Sequence, residues 1–482
     1  MKNLFIALLA LVCSVSVHAY DFVVDGVYYS VVSLPDLTVS VAAGDETYKG
    51  DVIIPETITY QSRELTVVSI DNSAFSNCRT LTSVQLPNTV TSIGWSSFSN
   101  CSSLTSVELP SNLKTINAYA FSGCIGLTEV VIPDAVKNIY SCAFSSCTSL
   151  TDLTLGSGIV SISDDAFELC SKITNITFDC KTVDAWFQKK RTLKKVVFGD
   201  HVETIERQAF FNCEGITEVK ISDSVKEIKA SAFYGCSSLK KLSIGKGVTD
   251  FGEAPFAACY ELSHVTINCS YVEDLFKNYS QIDTLVIGDD VELLKAHAFS
   301  SCTGLTNITI GNKLTKLSAY SFRYCSSLAD ITIGSSIASI ERDAFTECTA
   351  LSNIYLKCTT PPAVKSNNFT NDHYLHTKVF VPRGTLQAYQ SASVWKNFWN
   401  IEEYDADGET AIDAPSGNDF AVLHSANGIT LSNAHDKSVV VYSINGMRVF
   451  SIAKYQGEEL PLASGTYIIS VAGNTVQKIS IK

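Results

Sequence analysis

The sequence has little positive charge. Its 36 lysine and arginine residues face 49 aspartate and glutamate residues, which gives a net charge of −13 and an isoelectric point near 5.1. Surfaces that bind nucleic acid need clustered lysine and arginine to neutralise phosphates. The composition therefore disfavours a nucleic-acid partner, but it identifies no other partner because an acidic balance mainly serves solubility.

Long apolar runs are also scarce. The run Leu4–Val12 is too short to span a bilayer, and no later stretch is long enough. Lys2 precedes this run and Val17-His18-Ala19 follows it, as in an export signal with a small-residue cleavage site. We expect residues 1–19 to be a signal peptide, with lipid attachment at Cys13 as the alternative. The mature protein would then be extracellular or on the outer-membrane surface, without a transmembrane helix.

Catalytic motifs are missing as well. The sequence contains no G-x-S-x-G, P-loop, H-E-x-x-H or dinucleotide-binding glycine pattern. His373 and His376 have a spacing that could bring two imidazoles together, but such a pair is more often a surface coincidence. We therefore expect no enzyme activity, no cofactor and no metal site.

A repeated phrase occupies most of the chain. From Ile70 to Leu356 the clearest copies read I-x₃-A-F-x-x-C-x-x-L-x-x-V-x-L, and most steps are 23 residues, with two of 43. The anchor phenylalanines are Phe75, Phe98, Phe121, Phe144, Phe167, Phe210, Phe233, Phe256, Phe299, Phe322 and Phe345. A period of this length is typical of a solenoid, whose units bury their apolar faces only by stacking on each other.

Each unit should contain a strand, a turn, a second short extended piece and a short helical or 3-10 turn that holds Ala-Phe-x-x-Cys. Thirteen strand centres, from Val84 to Ile354, predict one parallel sheet on the order of 60 Å long. Cys180, Cys269 and Cys358 follow a longer period of 89 residues, which indicates duplication of a four-coil block. The redox state of these three cysteines stays open.

Eleven cysteines lie three residues after an anchor phenylalanine. They are Cys78, Cys101, Cys124, Cys147, Cys170, Cys213, Cys236, Cys259, Cys302, Cys325 and Cys348. The same position in every coil predicts an inward ladder, in which cysteine packs as a small hydrophobic residue. We expect reduced, buried thiols, although coils about 5 Å apart would also permit disulfides.

Both ends of the repeat are expected to be capped. Residues 20–69 do not repeat and should form a β-rich N-terminal cap with a hairpin turn at Asp25-Gly26. Residues 359–404 should form the C-terminal cap, with a last strand at Val379–Pro382 and an amphipathic helix from Leu386 to Phe398.

The solenoid itself is assigned to residues 70–358, and two further segments follow the C-terminal cap. Residues 405–419 are polar and read as a linker. Residues 420–482 are predicted to form a small all-β, sandwich-like module with strands at Val439–Tyr442 and Gly465–Ile469. Whether this module stays on the mature protein is left open.

The outward face of the sheet is the surface most informative about binding. Side chains alternate across a strand, so the residues on either side of each strand centre point outward. The predicted binding residues on this face are Glu108, Glu129, Asp152, Lys195, Lys220, Lys241, His264 and Tyr355. We predict a protein-binding strip centred on Lys195 to His264. The alternative is a solvated face whose charges only prevent aggregation.

The repeat resembles the BspA-like leucine-rich repeats, as seen in Ala74-Phe75-x-x-Cys78 and Cys101-x-x-Leu104-x-x-Val107-x-Leu109-Pro110. The C-terminal module, with Val441-Tyr442-x-Ile444-x-Gly446 and Leu462-x-x-Gly465-x-Tyr467, is similar to type IX secretion sorting domains of Bacteroidota. Together the resemblances imply a leucine-rich repeat solenoid with a small all-β C-terminal domain on an exported protein. The first also implies adhesion to host matrix proteins, other bacteria or host cells.

We therefore expect a non-enzymatic adhesin whose partners are host or bacterial surface proteins. A second interpretation is a glycan- or cell-envelope-binding module, which aromatic platforms would favour. Tyr355 is nearly the only aromatic residue on the outward face, so this second interpretation receives little support from the strands.

Overall fold

The computed structural model describes residues 19–405 and, further on, 421–424, 429–432, 437–443, 448–452, 454–456, 460, 462, 465–471 and 475–481. The expected signal peptide up to residue 18, Cys13 and nearly all of the expected linker lie outside the described residues. The chain divides into two units. The first runs to Phe380 and includes Gln387–Glu402, and the second comprises Val381–Leu386 and Glu403–Lys482.

The longer strands of the repeat form one extended sheet, here called the front sheet. Its thirteen strands are, in order, Glu129–Ile132, Asp152–Leu155, Asn175–Phe178, Lys195–Phe198, Glu218–Ile221, Lys241–Ile244, His264–Ile267, Thr284–Ile287, Asn307–Ile310, Asp330–Ile333, Asn353–Leu356, Lys378–Pro382 and Asn400–Tyr404. Successive repeat strands pair in parallel at equivalent residues, for example Glu129 with Asp152. The strand centre and last residue are buried while the others face outward, which confirms the predicted leucine-rich repeat solenoid.

The front sheet begins two coils later than predicted. Leu81–Gln85 pairs instead with Gly50–Ile53 on one side and with Ser106–Glu108 on the other, in a separate three-stranded sheet. In later coils the residue after the strand donates its N–H to the preceding coil, as Gly156 does to Ile132 O (3.0 Å). Pro133 occupies the equivalent position one coil earlier. Proline has no N–H, so this bond is missing both at Pro133 and at the equivalent Pro110, where Ser106–Glu108 nevertheless pairs with Leu81–Gln85.

A second column of two-residue strands, here called the rear strands, follows the front sheet from coil to coil. They are Ser92–Ile93, Thr115–Ile116, Asn138–Ile139, Ser161–Ile162, Thr182–Val183, Thr204–Ile205, Glu227–Ile228, Asp250–Phe251, Tyr271–Val272, Leu293–Leu294, Lys316–Leu317, Ser339–Ile340 and Ala363–Val364. The first four extend the N-terminal sheet, and the others form sheets of four, two and three strands. Their second residue usually points into the core.

The turn that carries Ala-Phe-x-x-Cys contains left-handed residues. In the coil of Phe98 these are Ser96 (φ 54°) and Asn100 (φ 62°). They interrupt the short helical run predicted for this segment, although turn bonds such as Cys101 N–H to Phe98 O (3.3 Å) are kept. Ser96, Phe98 and Asn100 instead donate their amides to the next coil, at 3.0, 2.7 and 2.7 Å. The turns of the regular coils therefore form a third set of hydrogen bonds along the axis, and among the described residues no such bond runs from the turn of Phe167 or Phe256 to the short coil that follows.

Phenylalanine rings from these turns stack inside the solenoid. Ring centroids lie 4.7 Å apart at Phe75–Phe98 and 5.8 Å apart at Phe322–Phe345, with the rings nearly parallel. The short coils without the Ala-Phe-x-x-Cys phrase still contribute a buried ring, Phe187 or Phe276. Neighbouring coils thus stack their aromatic rings, except that Phe178 lies between Phe187 and Phe210, and this burial drives the stacking.

Cysteine suits the third position after each anchor phenylalanine because its thiol reaches a carbonyl group. In ten coils the Sγ donates to the carbonyl oxygen of the phenylalanine one coil earlier, at 3.0–3.4 Å. All fifteen described cysteines are free. Burial raises the pKa of Cys213, Cys259 and Cys302 to about 12, so these thiols stay protonated at neutral pH.

Cys180, Cys269 and Cys358 are buried and free as well. Because four coils separate one from the next, they stand on the order of 19 Å apart, well beyond disulfide range. The Sγ atoms of Cys180 and Cys269 donate to Thr182 O and Tyr271 O, each at 3.3 Å. Their equivalent contacts reflect the repeated four-coil block.

Both ends of the solenoid are covered. The N-terminal strands are Phe22–Val24, Val27–Ser33, Thr38–Val41, Gly50–Ile53, Thr57–Tyr60 and Arg63–Ile70. The first two pair antiparallel around Asp25 and Gly26, both with positive φ, which confirms the predicted hairpin. At the other end the strand Lys378–Pro382 confirms the predicted last repeat strand.

The helix predicted for Leu386–Phe398 is shorter and divided. An α-helix covers Leu386–Ser391 and a 3-10 helix covers Trp395–Asn397, with Val394 at φ 72° between them. A further α-helix, Asn371–His376, was not predicted. Buried Tyr389 and Trp395 anchor the segment by donating to Cys358 O (2.7 Å) and Pro362 O (2.8 Å).

The described part of the second unit is an antiparallel β structure. Arg448–Ile452, Val439–Ser443, Gly465–Val471 and Thr475–Ile481 form one sheet in this order, and Ala421–His424 pairs with Ile429–Ser432. The two predicted strands at 439–442 and 465–469 are confirmed and pair with each other. Its core includes Val439, Val441, Tyr455 and Ile469.

The ring stack should be the main contributor to stability. Phe144→Ala removes a fully buried ring and is expected to lower the free energy of unfolding by about 3–5 kcal/mol, because a cavity remains in the stack. Urea denaturation followed by circular dichroism measures this change. Val160→Ala, at a side chain 72% exposed, is the control and should change stability by less than about 0.5 kcal/mol. If the two variants lowered the free energy of unfolding equally, the ring stack would not be a main contributor to stability.

The cysteine ladder should be chemically silent in the folded protein. In a chain starting at Tyr20, iodoacetamide at pH 8 is expected to label only Cys142, which is the one partly exposed cysteine among the described residues. Mass spectrometry should find the ladder cysteines unlabelled until urea is added, and Cys142→Ser should remove the native signal. Disulfides between neighbouring coils, or native labelling of Cys236, would contradict this arrangement.

Candidate functional site

Two columns of outward side chains run along the front sheet. In the first, the register aligns Lys195 with Glu218, Glu218 with Lys241, and Lys241 with His264. Lys220 lies in the second column, on the same strand as Glu218. All five side chains are exposed. The structure therefore places the four predicted strip residues on four consecutive coils, as one continuous surface.

A depression of about 780 Å³ opens within this strip. Its lining includes Lys194, Lys195, Val197, Asp200, Glu218, Lys220, Asp223, Ser243, Gly245 and Asn268. Of the predicted residues, Lys195 and Lys220 therefore line the depression. Lys241 and His264 lie on the next two strands, outside its lining.

Small residues after the strands help to open this depression. Gly245 lines it, and a Cβ atom added there would stand 2.7 Å from both Asp223 Oδ1 and Ser222 O. A larger residue at this position would therefore push into the turn of the preceding coil.

The core beneath the depression is also irregular. The strands Asn175–Phe178 and Lys195–Phe198 end in an inward phenylalanine, where neighbouring strands end in leucine or isoleucine. Phe178 contacts both Phe187 (5.9 Å) and Phe210 (5.7 Å) edge-on and so bridges two rings of the axial stack. The depression thus lies over a local change in core packing.

In the short coil that contains Phe187, Lys190 takes the place of the ladder cysteine. Its Nζ donates to Phe167 O at 2.9 Å, as the thiols do elsewhere. Burial lowers the pKa of Lys190 from its usual value. Its ammonium group is thus engaged from below and is not part of the outward strip.

The lysines of the strip lie among carboxylates. Glu218 stands between Lys195 and Lys241 in the same column. Asp200 and Asp223 add two more carboxylates to the depression. Its lining therefore carries both signs of charge. The sequence reading considered the outward strand positions and missed the acidic residues that follow the strands in the turns.

Three lysines of the depression form no ion pair. Some lysines elsewhere pair across coils, as Lys229 does with Glu206 (2.6 Å) and Lys313 with Asp290 (2.9 Å). Within the described residues, Lys194, Lys195 and Lys220 form no ion pair. Their charges are therefore available to a ligand.

The next strip residue, His264, is held by its neighbours. Its Nδ1 lies 2.9 Å from Ser263 Oγ and 3.6 Å from Asp283 Oδ1. His264 marks the edge of the strip rather than its centre.

The predicted acidic residues do not form one group. Glu108 lies in the three-stranded sheet and lines a separate depression of about 350 Å³, whereas exposed Glu129 begins the front sheet. Asp152 accepts hydrogen bonds from Thr151 Oγ1 (2.6 Å) and Asn175 Nδ2 (2.7 Å), which lower its pKa. Asp152 therefore stabilises contacts between coils.

Tyr355 also lies apart from the lysines. Its ring stacks on Phe380 of the following strand, with centroids 4.6 Å apart. Seven coils separate it from Lys195, which corresponds to roughly 34 Å along the axis. A single small ligand cannot contact both.

The histidine pair of the C-terminal cap does not converge. Buried His373 accepts from Thr370 N–H at Nδ1 (3.1 Å), and its Nε2 lies 3.0 Å from Cys348 O. His376 is exposed and lies 3.6 Å from Asp372. Both nitrogens of His373 are thus occupied by backbone groups. Across the described residues, no three histidine, cysteine or acidic side chains cluster as metal ligands.

None of the described helices is long and apolar enough to cross a membrane. The stacked coils, with one long parallel sheet and one ring per coil, define a leucine-rich repeat protein. The profile of the BspA type leucine rich repeat region matches residues 68–186, 181–275 and 270–392, in six copies. The chain belongs to this family.

Several solved structures are similar to this chain. A leucine-rich repeat protein from Bacteroides ovatus is 28% identical over 70% of this chain and 94% of its own, with a TM-score of 0.36. A leucine rich cell surface protein from Faecalibacterium prausnitzii is 21% identical over 79% and 94%, with a TM-score of 0.31. The pneumococcal vaccine antigen PcpA is 17% identical over 80% and 99%, with a TM-score of 0.27. No curated protein matches the chain.

Proposed function

We propose that this protein is an exported, non-enzymatic adhesin that binds host or bacterial surface proteins through the front sheet. The observation that carries the proposal is the depression around Lys195 and Lys220, where unpaired lysines and three carboxylates surround an apolar floor. Solenoids commonly use such extended faces to bind other proteins. The family membership supports a protein-binding role in the same way.

The chemistry of the depression suits a protein segment. Val197 is 38% exposed and offers an apolar contact in the centre, while charged side chains stand around it. Protein interfaces share this plan, with an apolar centre and a polar rim. Three unpaired lysines favour a partner that brings carboxylates to the rim, and Glu218 sets where a partner's positive charge can lie.

The remaining parts of the proposal concern export and attachment. Residues 1–19 would direct the chain across the inner membrane, and residues 420–482 would act as a sorting or anchoring module of the type IX secretion kind. The antiparallel sheet of the described C-terminal residues is compatible with such a module. The caps at 20–69 and 359–404 would protect the open ends of the binding array.

Charge reversal in the depression tests the binding surface. Lys195→Glu combined with Lys220→Glu should weaken capture of an acidic protein partner by about tenfold or more, since attraction becomes repulsion. The measurement is surface plasmon resonance against immobilised host matrix proteins, serum proteins and bacterial cell walls, at two salt concentrations.

The matched control reverses two exposed lysines away from the front sheet, Lys114→Glu and Lys316→Glu, with the same change in net charge. This control should bind as the parent does. If both double variants bind equally well, the depression is not the binding surface. If the parent captures none of these probes, the adhesin function itself is wrong.

A further inference from the structure

A cluster of exposed aromatic side chains lies where the rear strands lead into the turns. Trp95, Tyr119 and Tyr140 come from three consecutive coils and are 51%, 40% and 44% exposed. The Trp95 and Tyr119 rings meet edge-on, with centroids 6.0 Å apart. Isolated exposed aromatic residues need no explanation, but a contiguous group marks an interaction site.

A depression of about 490 Å³ lies among these aromatic residues. Trp95 and Tyr140 both line it, and Ala118 on the coil between them leaves room for a ligand. The two rings are two coils apart, roughly 10 Å along the axis. This is about the length of two linked sugar rings.

Two asparagine side chains supply directed polar groups. The backbone N–H of Trp95 donates to Asn72 Oδ1 (2.8 Å), and Asn117 Nδ2 donates to Ile93 O (2.8 Å). These bonds fix both amides and leave Asn72 Nδ2 as a donor and Asn117 Oδ1 as an acceptor. Neither remaining atom has a partner among the described residues. A hydroxyl group both donates and accepts, so it suits such a pair.

No charged side chain lines this depression, although the whole chain is strongly acidic. The neighbouring carboxylate, Asp165, is engaged by Ser141 Oγ (2.6 Å) and the Cys142 N–H (3.2 Å). Tyr119 is held at φ 58°, a conformation that glycine or asparagine adopts more easily. Absence of charge, fixed amides and exposed rings together indicate an uncharged ligand rich in hydroxyl groups.

We propose that the depression between Trp95 and Tyr140 binds a neutral oligosaccharide. Sugar rings present C–H groups that pack on the negative face of an aromatic ring, and their hydroxyls would bond to Asn72 and Asn117. A proline-rich peptide also binds aromatic grooves. The paired amide donor and acceptor favour the saccharide. This site is separate from the front-sheet depression, so the two proposals stand or fall independently.

The test is a glycan microarray followed by calorimetry on the full-length secreted chain. The probes are neutral gluco-, manno- and galacto-oligosaccharides of two to six units, with sialylated and sulfated glycans and a polyproline peptide for comparison. We expect a neutral oligosaccharide to bind, with its affinity reduced about tenfold by Trp95→Ala and again by Tyr140→Ala. Tyr260→Ala, which removes a ring that is 66% exposed elsewhere, should change nothing.

Circular dichroism would show that each variant is folded, since all three rings are largely at the surface. Lys195→Glu with Lys220→Glu should leave saccharide binding unaltered. The proposal would be overturned if no neutral oligosaccharide bound, if the Trp95→Ala/Tyr140→Ala double variant still bound it, or if the polyproline peptide or acidic glycans were preferred.

Discussion

The structure depends on the contact that each inward phenylalanine makes with the same residue of the next coil. A coil of about twenty residues cannot bury enough apolar surface alone, so it is stable only between neighbours. The ring supplies the buried area, the amide of the same residue fixes the spacing, and the cysteine satisfies a carbonyl group one coil away. Every other feature follows from this axial repetition, including the alignment of outward side chains into columns.

Because the core repeats regularly, a coil whose packing departs from the repeat marks a distinct place on the surface. Phe178 and Phe198 add two larger side chains to the core at one short coil, and the depression that Lys195 and Lys220 line lies above them. The second short coil keeps its ring in the stack, since Phe276 packs on Phe256 and Phe299. The two short coils are therefore not equivalent. The first combines a change in packing with unpaired lysines, which is the basis for placing recognition there.

Much of the fold could be predicted from the sequence because the repeat states which side chains point inward. The phenylalanine and cysteine positions, the strand centres and the Asp25-Gly26 hairpin all follow from local patterns. Patterns of this kind do not reveal left-handed turn residues. The interruption of the predicted helical turns and the break at Val394 were therefore not predicted. The break of the front sheet before Glu129 was not predicted either. The alternation of side chains along the strands predicts the residues of the strip. It gives no information about turns, where Asp200, Asp223 and the Trp95–Tyr140 group lie.

The central claim is that the turns of the regular coils are hydrogen-bonded from coil to coil along the solenoid axis. Hydrogen–deuterium exchange measured peptide by peptide tests it most directly. The amides of Phe98, Phe121 and Phe144, which donate to the next coil at 2.7–2.8 Å, should be among the slowest to exchange in the chain. If these turn amides exchanged as quickly as those of an exposed loop while the front strands stayed protected, the account would be contradicted.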